Sequence, residues 1–274
     1  MLKPSVKPIA SRVRPAAQAG RFYPALPARL QADVNAYLEM ASPPEGPVPK
    51  ALIVPHAGYM FSAAVAASGF VHLAPAHDRI RRVVLIGPSH HEDFPGLAAT
   101  GADAFATPLG LVPVDAAGLT AIEALPQVAC GERAHGPEHC LEVELPFLQT
   151  VVDEFAVVPL LVARATAEEV GEVLDRLWGG AETVVVVSSD LSHYLDYPTA
   201  QRKDRATADA IQALRWEELD GNCACGHRAI GGLLFCARRR GLRCQVVDLR
   251  NSGDTAGPRD RVVGYGAFLF TEPA

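Results

Sequence analysis

Histidines follow three apolar segments of the sequence, each near the point where the segment ends. His56 comes after Ala-Leu-Ile-Val-Pro, and His90 and His91 come after Val-Val-Leu-Ile-Gly-Pro-Ser. Asp190 and His193 follow a third segment, Thr-Val-Val-Val-Val-Ser-Ser. Imidazole and carboxylate groups bind transition metals and also transfer protons. The residue types therefore indicate a metal centre or an acid–base site.

A single histidine in such a loop has a more ordinary explanation. It is more often a capping or hydrogen-bonded core residue than a ligand. The chain has nine histidines, however, and four of them stand just after predicted buried strands. This clustering favours a functional interpretation for the group.

Cys225 adds a sulfur atom in the turn Asn-Cys-Ala-Cys-Gly-His. It comes just before a predicted helix, whose unpaired N–H groups and positive dipole end favour a thiolate that would bind a metal or act as a nucleophile. A small buried hydrophobic residue is the other interpretation. Cys223 and Cys225 are separated by one residue, and the sequence has no second pair with zinc-finger spacing, which argues against a closed four-cysteine site.

His139 and Glu142 lie in a segment, Glu138 to about Val152, that is predicted as a helix with a kink or restart at Pro146. Their spacing of three places them on one helical face. They would either orient a ligand and transfer a proton, or form a local hydrogen-bonded pair.

Strands alternate with helices along the chain, which indicates an α/β fold with a largely parallel sheet flanked by helices. Because the carboxyl ends of parallel strands meet at one edge, we expect the histidine loops to lie together there. The main predicted strands are Lys50–Val54, Val83–Ile86, Ala156–Val162, Thr183–Val187, Arg243–Leu249 and Val262–Phe270. The main predicted helices are Ala28–Met40, Ser62–Leu73, Ala116–Leu125, Thr166–Trp178, Asp204–Leu214 and Ala229–Arg239.

The bulk composition fits one domain of 274 residues, with 49% hydrophobic and 20% charged residues. We expect a flexible tail over residues 1–14 and a single α/β domain over residues 15–274. A net charge of −6 argues against a nucleic-acid partner. The sequence shows no apolar run approaching the ~20 residues of a membrane span and no secretory signal, so we expect no membrane partner and a cytoplasmic location with the six cysteines reduced.

Nucleotide binding and serine hydrolysis have little support in the sequence. It contains no G-x-x-x-x-G-K-[ST] phosphate loop, no G-x-G-x-x-G after a strand and no G-x-S-x-G elbow.

The motifs together resemble the Memo family, in bacteria often called AmmeMemoRadiSam system protein B. They run in order over nearly the whole chain. They are AGRFYP (Ala19–Pro24), PHAGYMFS (Pro55–Ser62), GPSHH (Gly87–His91), TPLG (Thr107–Gly110), EHCLEVELPFLQ (Glu138–Gln149), SSDLSHY (Ser188–Tyr194), Cys225-Gly226 and GYGAFLF (Gly264–Phe270).

The resemblance implies the fold of the catalytic subunits of class III extradiol dioxygenases, which use non-haem iron. Carried over by position, it makes His56, His90 and Cys225 the metal ligands. It implies catalytic or pocket-lining roles for Asp190, His193, His139 and Glu142. Cys140 and Glu144 stand where relatives usually have Ser and Gln, and these departures remove none of the implied ligands.

Three functions are compatible with this site. The first is a metal-dependent redox enzyme, linked to O2, in which two imidazoles and a thiolate hold Fe(II), with Cu or Zn as alternatives. The second is a non-catalytic binding module acting with the radical-SAM and AMMECR-type partner proteins to which the family name alludes. The third is a zinc hydrolase with an activated water. The substrate, a small molecule or a peptide, is not specified by the sequence.

Overall fold

The computed structural model describes residues 12–273. Within that range the strands are β1 Val13–Arg14, β2 Ala51–Val54, β3 Arg82–Pro88, β4 Leu97–Ala99, β5 Ala104–Thr107, β6 Gly110–Pro113, β7 Val128–Cys130, β8 Ala156–Val162, β9 Thr183–Ser188, β10 His193–Leu195, β11 Arg243–Asn251 and β12 Val262–Thr271. The α-helices are α1 Pro27–Met40, α2 Tyr59–Phe70, α3 Ala116–Ile122, α4 Glu132–His135, α5 Leu145–Val151, α6 Ala167–Leu177, α7 Tyr197–Gln212 and α8 His227–Arg240.

Strand β3 lies near the middle of a nine-stranded sheet, between β9 and β8. The four strands β2, β9, β3 and β8 are parallel, and together they form the centre of the sheet. On either side the pairing becomes antiparallel, at β12–β2 and at β8–β4. The α/β prediction is confirmed, and the sheet is mixed rather than mostly parallel. The late strands β11 and β12 also pair antiparallel to each other.

Two hydrophobic clusters cover the two faces of this sheet. Side chains alternate along each strand, so that Val83 and Leu85 belong to one cluster while Val84 and Ile86 belong to the other. Helices α1, α2 and α5 contribute to the first cluster, and α6 and α8 contribute to the second. Burial on both faces explains why the central strands are continuous apolar runs.

A second, three-stranded sheet consists of β1, β5 and β6. Most of the predicted tail, residues 1–11, lies outside the described residues. Val13 and Arg14, which the sequence prediction assigned to that tail, pair with Ala104 and Phe105. Arg14 is buried and its side chain donates to the His135 carbonyl, so Val13 and Arg14 are part of the fold.

Helix α2 and the turn after it form one apolar helical stretch of 18 residues, Tyr59–Ala76. Among the described residues it is the one stretch with the length and composition of a membrane span. Buried residues make up 61% of it, which is also what a core helix shows. Ser62 does not cap this helix, which begins earlier, and its hydroxyl donates to the Ala57 carbonyl.

The segment from Glu138 to Val152 is the main departure from the predicted helices. Residues 138–141 form a turn, Glu142–Glu144 is a single 3-10 turn, and α5 starts only at Leu145. The Glu138 carboxylate accepts the N–H groups of His139 and Cys140, so the local backbone bonds to a side chain instead of to a helix.

Candidate metal centre

A cavity of about 720 Å³ opens at the carboxyl ends of β2, β3 and β9. The loops after these strands reach it, together with the turn at Glu138 and the start of α8. Six of the seven predicted site residues line this cavity: His56, His90, His139, Asp190, His193 and Cys225.

His56 is fixed from two directions at the end of β2. Its backbone N–H donates to Oδ1 of Asp190 at 2.8 Å, and its ring Nδ1 lies 2.8 Å from Oγ of Ser188. Nε2 is left facing Cys225, 3.3 Å from the sulfur. Burial, together with the charges of His139 and His90, holds the pKa of His56 well below its ordinary value. The ring is therefore neutral at physiological pH, which is the form that binds a metal.

Glu138 holds two further histidines. Its Oε1 accepts from Nδ1 of His90 at 2.9 Å and from Nδ1 of His139 at 3.1 Å, while Oε2 accepts from the His90 backbone N–H. Burial alone would raise the pKa of Glu138, but the hydrogen bonds from His139 and His90 bring it well below its ordinary value. The carboxylate therefore stays ionised and keeps both imidazoles in one tautomer.

The three rings of His56, His90 and His139 converge. Their centroids lie 5.2, 5.2 and 4.6 Å apart, and one nitrogen from each lies within 4.8 Å of the others. Because every Nδ1 faces an oxygen, the Nε2 atoms are the ones left to coordinate an ion. The structure thus brings His139, predicted as a catalytic residue, as close to His56 and His90 as a ligand would be.

Cys225 lies in the turn that precedes α8. Its N–H donates to the Asp190 carbonyl at 3.2 Å, and the next N–H, of Gly226, donates to Oγ of Ser189 at 2.9 Å. Burial and the neighbouring Asp190 raise the pKa of the thiol to about 12. Without a bound metal ion, the thiol is therefore favoured over the thiolate that the helix end leads one to expect. A bound metal ion deprotonates a coordinating thiol outright.

Asp190 and His193 complete the cavity wall. Asp190 is buried, and burial raises the pKa of its carboxyl although the nearby His193 acts to lower it. The Nδ1–H of His193 donates to the Leu191 carbonyl at 2.8 Å, so that Nε2 is free to exchange a proton. This pair can orient a ligand or move a proton at the edge of the histidine cluster.

Glu142 is not among the residues that line the cavity. It is fully buried and accepts from the guanidinium of Arg14, the hydroxyl of Tyr23, and the backbone N–H groups of Ala17 and Gln18. The predicted shared helix face with His139 does not exist, because the turn at residues 138–141 sends the two side chains to different neighbours. His91 is exposed and does not line the cavity either.

Two residues that sequence reasoning missed support the site from behind. Glu138 anchors two histidines. The hydroxyl of Ser188, which faces Nδ1 of His56, donates to Oε1 of the buried Glu144 at 2.8 Å. Burial raises the pKa of Glu144 well above its ordinary value. The available signals were weak: Glu138 directly precedes a candidate histidine, and Ser188 is the polar last residue of an apolar strand.

Comparisons with known proteins agree with the motifs. The family model described as Memo-like protein matches residues 14–269. A protein named "MEMO1 family protein" from Aquifex aeolicus is 33% identical over 94% of this chain and 99% of its own length. Proteins of the same name from Archaeoglobus fulgidus and Sulfolobus acidocaldarius are each 34% identical, over 92% and 94% of this chain and 97% and 99% of their own lengths.

Proposed function

The chain belongs to the Memo family, and we propose that it is a metal-dependent redox enzyme linked to O2, with a transition metal held by His56, His90 and Cys225. The observation that carries this proposal is the hydrogen bonding of the imidazole rings. Each ring in the cluster has Nδ1 against an oxygen and leaves Nε2 toward the same point. Histidines that bind a metal through one ring nitrogen usually donate the other ring N–H to an oxygen in this way.

The spacing of His56 and Cys225 suits two donors on one ion. In a tetrahedral site a nitrogen lies ~2.1 Å and a sulfur ~2.3 Å from the metal, which places the two donors ~3.6 Å apart. Nε2 of His56 and Sγ of Cys225 are 3.3 Å apart. Imidazole and thiolate together suit iron, copper and zinc, and Fe(II) is our choice because the family resembles non-haem iron dioxygenases.

A bound Fe(II) or Cu ion would supply one-electron chemistry with O2 or substrate. The chain's own residues would supply position and proton transfer. His193 lines the cavity and its Nδ1–H is bonded to the Leu191 carbonyl, so that its Nε2 would accept a proton from a bound molecule. Phe22 and Phe61 line the same cavity and make part of its wall apolar.

The cellular setting is part of the proposal. All six cysteines are free, which supports a reducing, cytoplasmic location. Action beside radical-SAM and AMMECR-type partner proteins is a proposal that rests on the family resemblance.

Metal content measured by mass spectrometry tests the proposal, on protein purified anaerobically without a histidine tag. Wild type should carry near-stoichiometric iron or copper, and H56A, H90A and C225A should lose it. C223A is the matched control, since Cys223 is two residues away and is not among the cavity-lining residues. We expect H139A to keep most of its metal and to lose O2 uptake.

The alternatives give different results in the same experiment. Full occupancy by zinc without O2 uptake would contradict the redox function and favour the hydrolase. Wild type that binds no metal, even on reconstitution, would contradict the whole proposal and favour the binding module. Loss of the metal from H139A as complete as from H90A would make His139 a ligand.

A further inference from the structure

Arg261 stands at the rim of the cavity, in the loop before β12. It is exposed, it lines the cavity, and its guanidinium carbon lies 4.5 Å from the ring centroid of Tyr194. None of the ion pairs among residues 12–273 includes Arg261. A guanidinium at the mouth of a cavity without a carboxylate partner is available to a ligand.

Tyr194 provides a second, independent observation. Its φ is 60°, in the left-handed region that residues other than glycine rarely adopt, and its side chain is 61% exposed. A conformation of this kind persists only where the surroundings hold it, and such residues cluster at ligand sites. The neighbouring His193 lines the cavity with Tyr194, so the strained residue lies at the entrance.

Part of the cavity wall is aromatic. Phe22, Phe61 and Tyr265 line it, and the ring of Phe22 lies 4.7 Å from the ring of His139. Flat apolar groups bury well against such rings. Asp190 lies at the inner end, where its carboxyl disfavours a second negative group.

We propose that the cavity takes an aromatic carboxylate, with the carboxylate bound by Arg261 at the rim and the ring lying against Phe22 and Phe61. One guanidinium balances one negative charge, which matches a carboxylate rather than a phosphate dianion. This orientation directs the ring, rather than the carboxylate, toward the histidine cluster. The proposal names a substrate class for the enzyme proposed above and rests on that function, but its test does not depend on turnover.

The chain offers a matched control two residues away. The guanidinium carbon of Arg259 lies 4.5 Å from the ring centroid of Tyr197, so it makes the same type of contact, but Arg259 is not among the cavity-lining residues. Benzoate, benzamide and acetate are titrated into wild type, R261Q, R261K and R259Q, and binding is followed by calorimetry or ligand-observed NMR. Each protein is tested metal-free and zinc-loaded, with metal content measured separately.

Wild type and R259Q should bind benzoate more tightly than either benzamide or acetate. R261Q should weaken benzoate binding at least about fivefold and leave benzamide unchanged, because it removes only the charge-assisted bond. R261K should fall between wild type and R261Q, since it keeps the charge and loses the planar fork.

Undetectable benzoate binding to wild type, equal binding to R261Q and wild type, or an equal loss in R259Q would each overturn the proposal. Arg261-dependent benzoate binding in a protein that takes up no metal would sustain the carboxylate subsite and reject the metal enzyme. Metal uptake by a protein whose benzoate binding is the same in R261Q as in wild type would sustain the metal enzyme and reject the carboxylate subsite.

Discussion

Oε1 of Glu138 lies 2.9 Å from Nδ1 of His90, and the same oxygen atom receives Nδ1 of His139. One buried carboxylate therefore sets the tautomer and the direction of two imidazoles in the cluster. The arrangement makes Glu138 a positioning residue for the metal centre, although it does not line the cavity.

Replacing Glu138 with Gln should lower metal affinity about 10- to 100-fold, the usual cost of losing an outer partner of a histidine ligand. The amide oxygen can take the place of Oε1, but the NH2 group cannot accept the His90 backbone N–H that Oε2 binds, and the neutral amide loses the charge that strengthens both imidazole bonds. Competition with a chelator measures the affinity. E217Q is the control, because Glu217 is in an exposed ion pair with Arg238. Unchanged affinity in E138Q would show that the histidines keep their orientation without it.

The E142Q variant separates a structural role from a catalytic one. In wild type the ion pair of Glu142 with Arg14 is buried, with the Glu142 side chain 0% and the Arg14 side chain 5% exposed. The substitution leaves the Arg14 charge without its carboxylate. We expect the free energy of unfolding to fall by about 3–5 kcal/mol, measured in urea, while metal content stays at the wild-type level. D93N, in an exposed pair with Arg164, should change stability by less than about 1 kcal/mol. Metal loss in E142Q at unchanged stability would restore the catalytic assignment.

Gly226 leaves no room for a side chain beside Cys225. An added Cβ would lie 2.7 Å from Cβ of Ser189 and 3.1 Å from the Ser188 carbonyl oxygen. G226A should therefore destabilise the protein by about 1–3 kcal/mol and weaken metal binding by displacing the cysteine. In G231A, within α8, the added Cβ meets Ala167 only at 3.5 Å, and the substitution should stabilise the protein by about 0.5–1 kcal/mol. Thermal unfolding measures the change in stability, and competition with a chelator measures the change in metal affinity. Equal changes in G226A and G231A would refute the steric argument.

The buried His135 should lower the free energy of unfolding in acid. It is 2% exposed, Nε2 bonds to the Ala98 carbonyl, and burial lowers its pKa from 6.5 to about 4. The unfolded chain binds the proton first, so stability falls as the pH drops below 6.5, and the full loss, about 3 kcal/mol, is reached below about pH 4. Denaturant unfolding of wild type and H135Q at several pH values in this window measures the contribution. Identical pH profiles would mean that His135 titrates normally in the folded protein.

The sequence predicted the centre of the fold and the edge that carries the site. The long central strands are recognisable as continuous apolar runs because both of their faces are buried. The loops at their carboxyl ends bring His56, His90 and Asp190 together. The three-residue strands β4, β7 and β10 were missed, since so few residues carry no periodicity. The antiparallel flanks depend on pairing between distant segments, which a local pattern does not encode.

The supporting residues of the site were harder to predict for a different reason. Glu138 and Ser188 matter through the nitrogen atom that each one faces, and spacing does not specify hydrogen bonds between loops. Glu142 was misplaced because the backbone around His139 bonds to the Glu138 side chain and leaves the helical path. Residue types indicated a histidine site with a carboxylate, but only the tertiary structure shows that this carboxylate is Glu138 and not Glu142.

His56 and Cys225 touch in the folded protein although 169 residues separate them in the chain. A ribosome therefore exposes the first of these donors long before it makes the last. We expect metal acquisition to be a late event in the life of each molecule, because the complete donor set exists only after the sheet has closed around α8. Tight metal binding would then report that nearly the whole chain has been made and correctly folded.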